Sequence, residues 1–180
     1  MATSAGKSSS KQKSRGEASS TDAIDLLMAD HRQVEAWFEQ FEDADETDVK
    51  AELAAKICEA LRIHTTIEEE IFYPAFLDAT DDMDLHHEAV VEHAGAKNLI
   101  GEIEETDADD EYFNAKVKVL SEMIKHHVNE EEQPGGMFAE AKKSDMDLAE
   151  LGRELQARKQ ELAAELAEED EDEDEDEDEE

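Results

Sequence analysis

Between Asp22 and Ala167 apolar residues return every three or four positions, and short acidic stretches interrupt them. Ile24, Leu27, His31, Val34, Phe38 and Phe41 make one stripe, the spacing of a single helical face. They predict a first helix from about Asp22 to Glu42. Leu53, Ile57, Leu61, His64, Glu68 and Ile71 predict a second, from about Asp48 to Leu77. Val90, His93, Ala96 and Ile100 mark a third over Asp82 to Glu105. A fourth starts near Asp109 and carries Phe113, Val117, Leu120, Ile124, His127 and Glu131. The breaks EDADETD, DATDDMD and EETDADD are as short as connections in an up-down bundle need to be. Pro134 with Gly135 and Gly136 stops the fourth helix. Ser144 and Asp147 then read as a capping box for a fifth helix ending near Ala167. Its narrow stripe of Leu148, Leu151, Leu155, Leu162 and Leu166 predicts packing across the outside of the bundle. The expected fold class is all-α: an up-down four-helix bundle over residues 21–143, with an additional C-terminal helix over 144–167.

The stripes contain residues that do not belong in a dry core. His31, His64, His93 and His127 all lie on them, and Glu68 and Glu131 follow two of those histidines by one turn. A carboxylate buried without a partner costs several kcal/mol. A single core histidine is ordinarily a hydrogen-bonded one. Four on four helices, joined by two inward glutamates, point to a multivalent cation that offsets the buried charge and uses the imidazole lone pairs.

The pattern also repeats. At an offset of 62, His31 pairs with His93, Phe38 with Ile100 and Phe41 with Ile103. At 63, Ile57 pairs with Leu120, Leu61 with Ile124, His64 with His127 and Glu68 with Glu131. Two helix pairs that each offer His, His and Glu suggest a pseudo-twofold site for two metal ions, with the glutamates as natural bridges. The segment HHVNEEE also offers His126 and Glu130. The apolar stripe favours His127 and Glu131, since Leu120 and Ile124 lead into them.

Charge changes the picture at the ends. The chain has 180 residues and a formal net charge of −36. Residues 168–180 are all acidic and read as a disordered, solvated tail, with a basic protein partner or loose cation binding as the alternatives. Without that run the charge is still −23, which disfavours nucleic acid and anionic membranes as partners. Residues 1–20 are rich in Ser and Lys, lack an apolar pattern and read as disordered. No apolar run approaches a membrane span, no signal-peptide core follows Met1, and the one cysteine, Cys58, has no internal partner. The expectation is a cytoplasmic protein. Tyr73, just beyond the second helix's His and Glu, reads as a bundle-end aromatic, with a redox or hydrogen-bonding neighbour of those residues as the alternative; Trp37 reads as packing, Cys58 as unreactive, and His86 and His87 as surface residues.

The segments DLLMADHRQVEAWFEQF, IHTTIEEEIFYPAF, VVEHAGAKNLIGEI and MIKHHVNEEEQPGGMF, followed by LGRELQARKQELAAEL, resemble hemerythrin-like proteins with the HHE cation-binding domain. The resemblance covers roughly residues 22–167. It implies two non-haem iron ions, bridged by carboxylates and by oxo or hydroxo groups. The implied ligands are His31, His64, Glu68, His93, His127 and Glu131. The order His-x-x-x-Glu separates the chain from ferritin-like sites, which use Glu-x-x-His. One position departs: oxygen-carrying hemerythrins place a second histidine one turn after that of the third helix, and Lys97 stands there. Solvent or a carboxylate such as Glu69 or Glu130 would complete that shell, unless Lys97 points away. The expected function is binding dioxygen, or a related small ligand such as nitric oxide, for sensing, storage or protection. Redox turnover of peroxide or nitric oxide, and iron storage, are the alternatives.

Overall fold

A computed structural model of the chain describes residues 22–177, with side chains through Glu168. The expected tail over residues 1–20 and the last three acidic residues lie outside the described residues. Helix α1 spans Ala23–Asp43 and α2 spans Thr47–Ile67. A π-helical turn, Glu68–Phe72, joins α2 to α3, Tyr73–Thr80. Then follow α4 (Met83–Glu104), α5 (Phe113–Glu132), α6 (Met137–Lys143) and α7 (Leu148–Glu177). The long second helix of the sequence pattern is therefore α2, the π turn and α3 end to end. α1 packs along α2 and α4 along α5, which completes the four-helix bundle, while α7 lies against α1 and α2.

Local chemistry sets the ends. Asp22 accepts the Asp25 N–H at 2.9 Å and caps α1; Asp82 accepts that of Leu85 at 3.2 Å and caps α4, each satisfying an orphan helix donor. Asp147 caps α7 through the Glu150 N–H at 3.0 Å. Ser144 is not part of a capping box: its hydroxyl donates to the Ala141 carbonyl at 2.8 Å and closes α6. α6 itself was not expected. It forms because the chain folds back directly over the end of α5 at Gly136, where a Cβ would stand 2.1 Å from the Glu130 carbonyl oxygen and 2.8 Å from that of Glu131.

The buried apolar residues form two clusters. One holds Val34, Phe38, Ile57, Leu61, Ile100, Leu120 and Ile124 among others. The second holds Ile24, Leu27, Ile67, Phe72, Phe76, Met137, Phe138 and Leu155. His31 follows Leu27 and precedes Val34 along α1; His64 lies between Leu61 and Ile67 along α2. The four stripe histidines thus form a polar layer between two hydrophobic masses.

Three stripe assignments change. On α4 the buried face runs Ala89, His93, Ala96, Ile100, Ile103, while Val90 is 38% exposed. After Glu68 the buried position is Phe72 rather than Ile71, because the π turn shifts the register. Leu155 is fully buried in the second cluster, so α7 contributes to the core as well as covering the outside. The backbone of α7 also continues past Ala167 to Glu177, through a run with no Gly or Pro to stop it. No helix among the described residues is long and apolar enough to cross a membrane.

Candidate metal centre

Six donors from the four bundle helices converge in the polar layer. His31, His64, His93 and His127 are each no more than 4% exposed, and Glu68 and Glu131 no more than 2%. His31 Nε2 faces His64 Nε2 at 3.1 Å, and His93 Nε2 faces His127 Nε2 at the same distance. Glu68 Oε2 lies between the pairs, 3.2 Å from His64 Nε2 and 3.3 Å from His93 Nε2. Glu131 spans the other diagonal, 3.5 Å from His31 Nε2 and 3.7 Å from His127 Nε2. The donors divide into two close groups, His31–His64–Glu68 and Glu68–His93–His127, that share Glu68. All six residues singled out from the sequence are brought together. The exposed side chain of the competing His126 points away from the layer.

A second layer orients the first. His31 Nδ1 contacts Glu132 at 2.8 Å, His127 Nδ1 contacts Glu92 at 2.8 Å and His93 Nδ1 contacts Glu69 at 3.1 Å. His64 Nδ1 faces Asp30 at 3.7 Å. An ionised carboxylate only accepts, so in His31, His93 and His127 the Nδ1 carries a proton, which leaves Nε2 as the inward atom that a metal would use. This is the outer support that metal-binding histidines characteristically receive. It obeys the internal repeat: Asp30 and Glu92 are 62 apart, Glu69 and Glu132 are 63 apart. The sequence pattern singled out none of Asp30, Glu92 and Glu132, and offered Glu69 only as an inner donor, because each simply adjoins a residue of the inner set.

Lys97 belongs to this outer layer. Its ammonium donates to both Glu69 carboxylate oxygens at 2.7 Å, so it neither enters the centre nor points away idle. Glu69 is engaged by His93 and Lys97 on the outer side, and Glu130 stands beside His126. The expectation that either carboxylate completes an inner shell does not match where they stand.

Tyr73 takes the second of its two expected roles, a hydrogen-bonding neighbour of the donors rather than a bundle-end aromatic. It is 1% exposed, and its Oη lies 3.1 Å from His93 Nε2, 3.2 Å from Glu131 Oε1 and 3.4 Å from Glu68 Oε2. On a regular α-helix Tyr73 would sit about 140° around from Glu68. The wider π turn, closed by the Tyr73 N–H on the Glu68 carbonyl, swings it onto the same face. Pro74 was the available signal. Its ring clashes with the carbonyl four residues back and it has no N–H, so a regular helix could not pass through it undisturbed. On the opposite side Phe138 stacks on His31, 5.7 Å between centroids and nearly parallel.

Electrostatics decide what the layer can hold. Burial, followed by the nearby negative charge of Glu68, pushes the Glu131 carboxyl up to about 8. Burial acts on Glu68 in the same direction, but the His64 and His93 rings outweigh it and hold Glu68 well below the ordinary range. For His64 burial opposes the charge, yet Glu68 and Asp30 raise it to about 10. Without another cation the layer therefore retains protons at neutral pH. Glu68 Oε1 and Glu131 Oε2 are buried with no hydrogen-bond partner, the condition a multivalent cation relieves. Two nitrogens held on one ion by bonds of roughly 2.1 Å at right angles stand about 3 Å apart, which fits both Nε2 pairs. The donor set suits a metal.

Other candidates lie elsewhere. His86 is half-buried, with its ring 6.1 Å from that of Tyr73, and His87 is exposed. Cys58 is buried, and burial together with Glu104 pushes its thiol up to about 12, which leaves no thiolate for nucleophilic chemistry.

The profile of the hemerythrin HHE cation-binding domain matches residues 22–134. A search among curated proteins returns no match. Among solved structures, the crystal structure of a hemerythrin HHE cation-binding domain-containing protein from Mycobacterium kansasii superposes with a TM-score of 0.68 at 22% identity, over 80% of this chain and 88% of that one. At that identity the likeness carries the fold alone, and the matched profile carries the membership. With a four-helix bundle whose central layer holds two His/Glu donor groups, the chain belongs to the hemerythrin HHE cation-binding family.

Proposed function

We propose that His31, His64, Glu68, His93, His127 and Glu131 hold two non-haem iron ions, and that the loaded protein binds dioxygen or a related small ligand such as nitric oxide. The observation that carries this reading is the sharing of Glu68 between two donor groups, each completed by a close histidine pair. Imidazole with carboxylate suits iron. Bound there, the pair of ions would supply redox-active positions for a small ligand in a site shielded from bulk water. The chain's own contribution is positional. Asp30, Glu69, Glu92 and Glu132 aim the imidazoles, and the two apolar clusters exclude solvent on either side.

One observation favours redox turnover of peroxide or nitric oxide as a second reading. Burial, reinforced by Glu131 and Glu68, holds the Tyr73 phenol well above its ordinary range, so it stays neutral with a proton to donate beside the centre. The test combines iron content per chain with ultraviolet–visible spectra of the reduced protein before and after air. Two irons and a new band that disappears on deoxygenation support binding. Two irons oxidised once, without reversal, support turnover or redox sensing. Zinc alone, or no stoichiometric metal after expression with iron, removes both.

A further inference from the structure

The four outer arms of the centre end on groups from different parts of the molecule. Arg32 of α1 meets Glu132 and Lys97 of α4 meets Glu69, so both pairs lie within the bundle. Glu92 has the exposed His126 of α5 as its outer neighbour. Asp30, the counterpart of Glu92 in the repeat, is met by Lys159, which belongs to α7. One arm is therefore closed from outside the four-helix bundle. Leu155, Arg158 and Lys159 stand at i, i+3 and i+4 on α7 and share one face. Leu155 is fully buried in the apolar cluster that holds Ile67 and Phe72. Arg158 donates to Glu70 of the π turn at 2.8 Å. That ion pair is partly exposed and adds little by itself, so the buried leucine is the main anchor. Together they seat α7 where Lys159 reaches Asp30.

The arm that α7 closes is also the loosest. Glu132, Glu92 and Glu69 approach their histidines to 2.8, 2.8 and 3.1 Å, whereas Asp30 Oδ2 stands 3.7 Å from His64 Nδ1, too long for a hydrogen bond. Both atoms are buried and have no hydrogen-bond partner among the described residues. Lys159 holds the other carboxylate oxygen, Oδ1. Beside this pair lies a cavity of about 250 Å³ between α1, α2 and α7, lined by Asp30 and Lys159 together with Trp37, Ile63 and Ala163. Asp30 thus has room to turn away from His64, and the contact with Lys159 keeps Oδ2 facing the ring.

We propose that Lys159 is a positioning residue for the His31–His64–Glu68 donor group, acting through Asp30 on the His64 ring. By this contact α7 sets the affinity of one ion of the pair and leaves the other to the bundle. Lys97, acting through Glu69 on His93, is the corresponding cation for the second group and needs no helix outside the bundle. A disturbance of α7 is then felt at one donor group. The effect on affinity rests on the buried layer being a metal centre; the orientation of His64 by Lys159 does not.

The test adds K159M to two backgrounds of the full chain. In H93A the intact donor group is His31, His64 and Glu68; in H31A it is Glu68, His93 and His127. Anaerobic chelator competition with iron(II) should show an affinity lowered by about tenfold when K159M is added to H93A. The same change in H31A should leave the affinity where it was, and K159R in place of K159M should restore it in H93A. Equal losses in the two backgrounds mark a general loss of structure and overturn the proposal, as does no loss in H93A. The metal-free chain gives a second readout. There K159M should shift the ring-nitrogen NMR signals of His64 and leave those of His127 in place; an unmoved His64 overturns the positioning. If the wild type binds no iron at all, the reading of the centre fails, and the histidine spectra still decide whether Lys159 orients His64.

Discussion

The α1–α2 and α4–α5 halves of the bundle offer the same donors at the same spacing, yet they close over the centre with different chemistry. After Glu68 the helix widens through a π turn and brings the Tyr73 hydroxyl to within 3.4 Å of Glu68, Glu131 and His93. After Glu131 the helix stops at Pro134, and the chain doubles back to lay Phe138 on His31. One half delivers a phenol, the other a hydrocarbon ring. A repeat conserves where the donors stand, because burial and helical spacing constrain them. What faces the donors follows from the few residues after each glutamate, FYP in one half and QPGG in the other.

The largest break in that equivalence should come from the carboxylates. Glu68 belongs to both donor groups, so E68Q is expected to lose both ions, whereas H31A and H93A should each weaken mainly one. Metal analysis of protein purified after iron loading reads this directly; a Glu68 variant with wild-type iron content would remove the shared-ligand reading. Next in size is Y73F, which should keep the iron count while slowing any proton-dependent reaction of the reduced protein by about a hundredfold. F138L, the equivalent change in the other half, should alter stability and leave that reaction within a few-fold. Stopped-flow spectra after mixing with air or hydrogen peroxide separate the two.

A third test uses pH. Glu131 at about 8 lies above its ordinary 4.5, and His64 at about 10 lies above its ordinary 6.5. Each folded-state value is raised, so the folded metal-free chain holds protons that the unfolded chain releases. The Glu131 contribution is fully present below pH 4.5 and lost as pH rises to about 8; that of His64 is present below 6.5 and lost by about 10. Glu68, held low, has the opposite sign: its contribution is present above pH 4.5 and lost on acidification. Thermal melts of metal-free protein should therefore fall across neutral to alkaline pH, and the stabilisation given by iron should grow. A metal-free melting temperature that rises over that range would contradict the proton-filled layer. The smallest effect compares two outer arms: K97M and R32M should each lower iron affinity by about tenfold, and chelator competition would measure it.

The helical stripes made the four-helix bundle and the inward direction of His31, His64, Glu68, His93, His127 and Glu131 legible, because burial forces a 3.6-residue period on any residue that faces a core. The same reasoning carried less far in the second apolar cluster. There Leu155 enters the core from α7, Phe72 replaces Ile71, and Phe138 arrives on a short helix that no stripe announced. The supporting role of the outer carboxylates was hidden for a related reason. Glu69, Glu92 and Glu132 each bond a histidine on another helix and Asp30 faces one at 3.7 Å, and a periodic pattern describes one helix at a time. By itself, then, the sequence determined how many donors face inward, on which helices, and that they come in two matching sets. Only the tertiary structure decided which Nδ1 each carboxylate supports, that Lys97 serves Glu69, and that Tyr73 reaches the centre. Those outcomes depend on distances between helices and on one widened turn, which no repeating pattern along a single helix encodes.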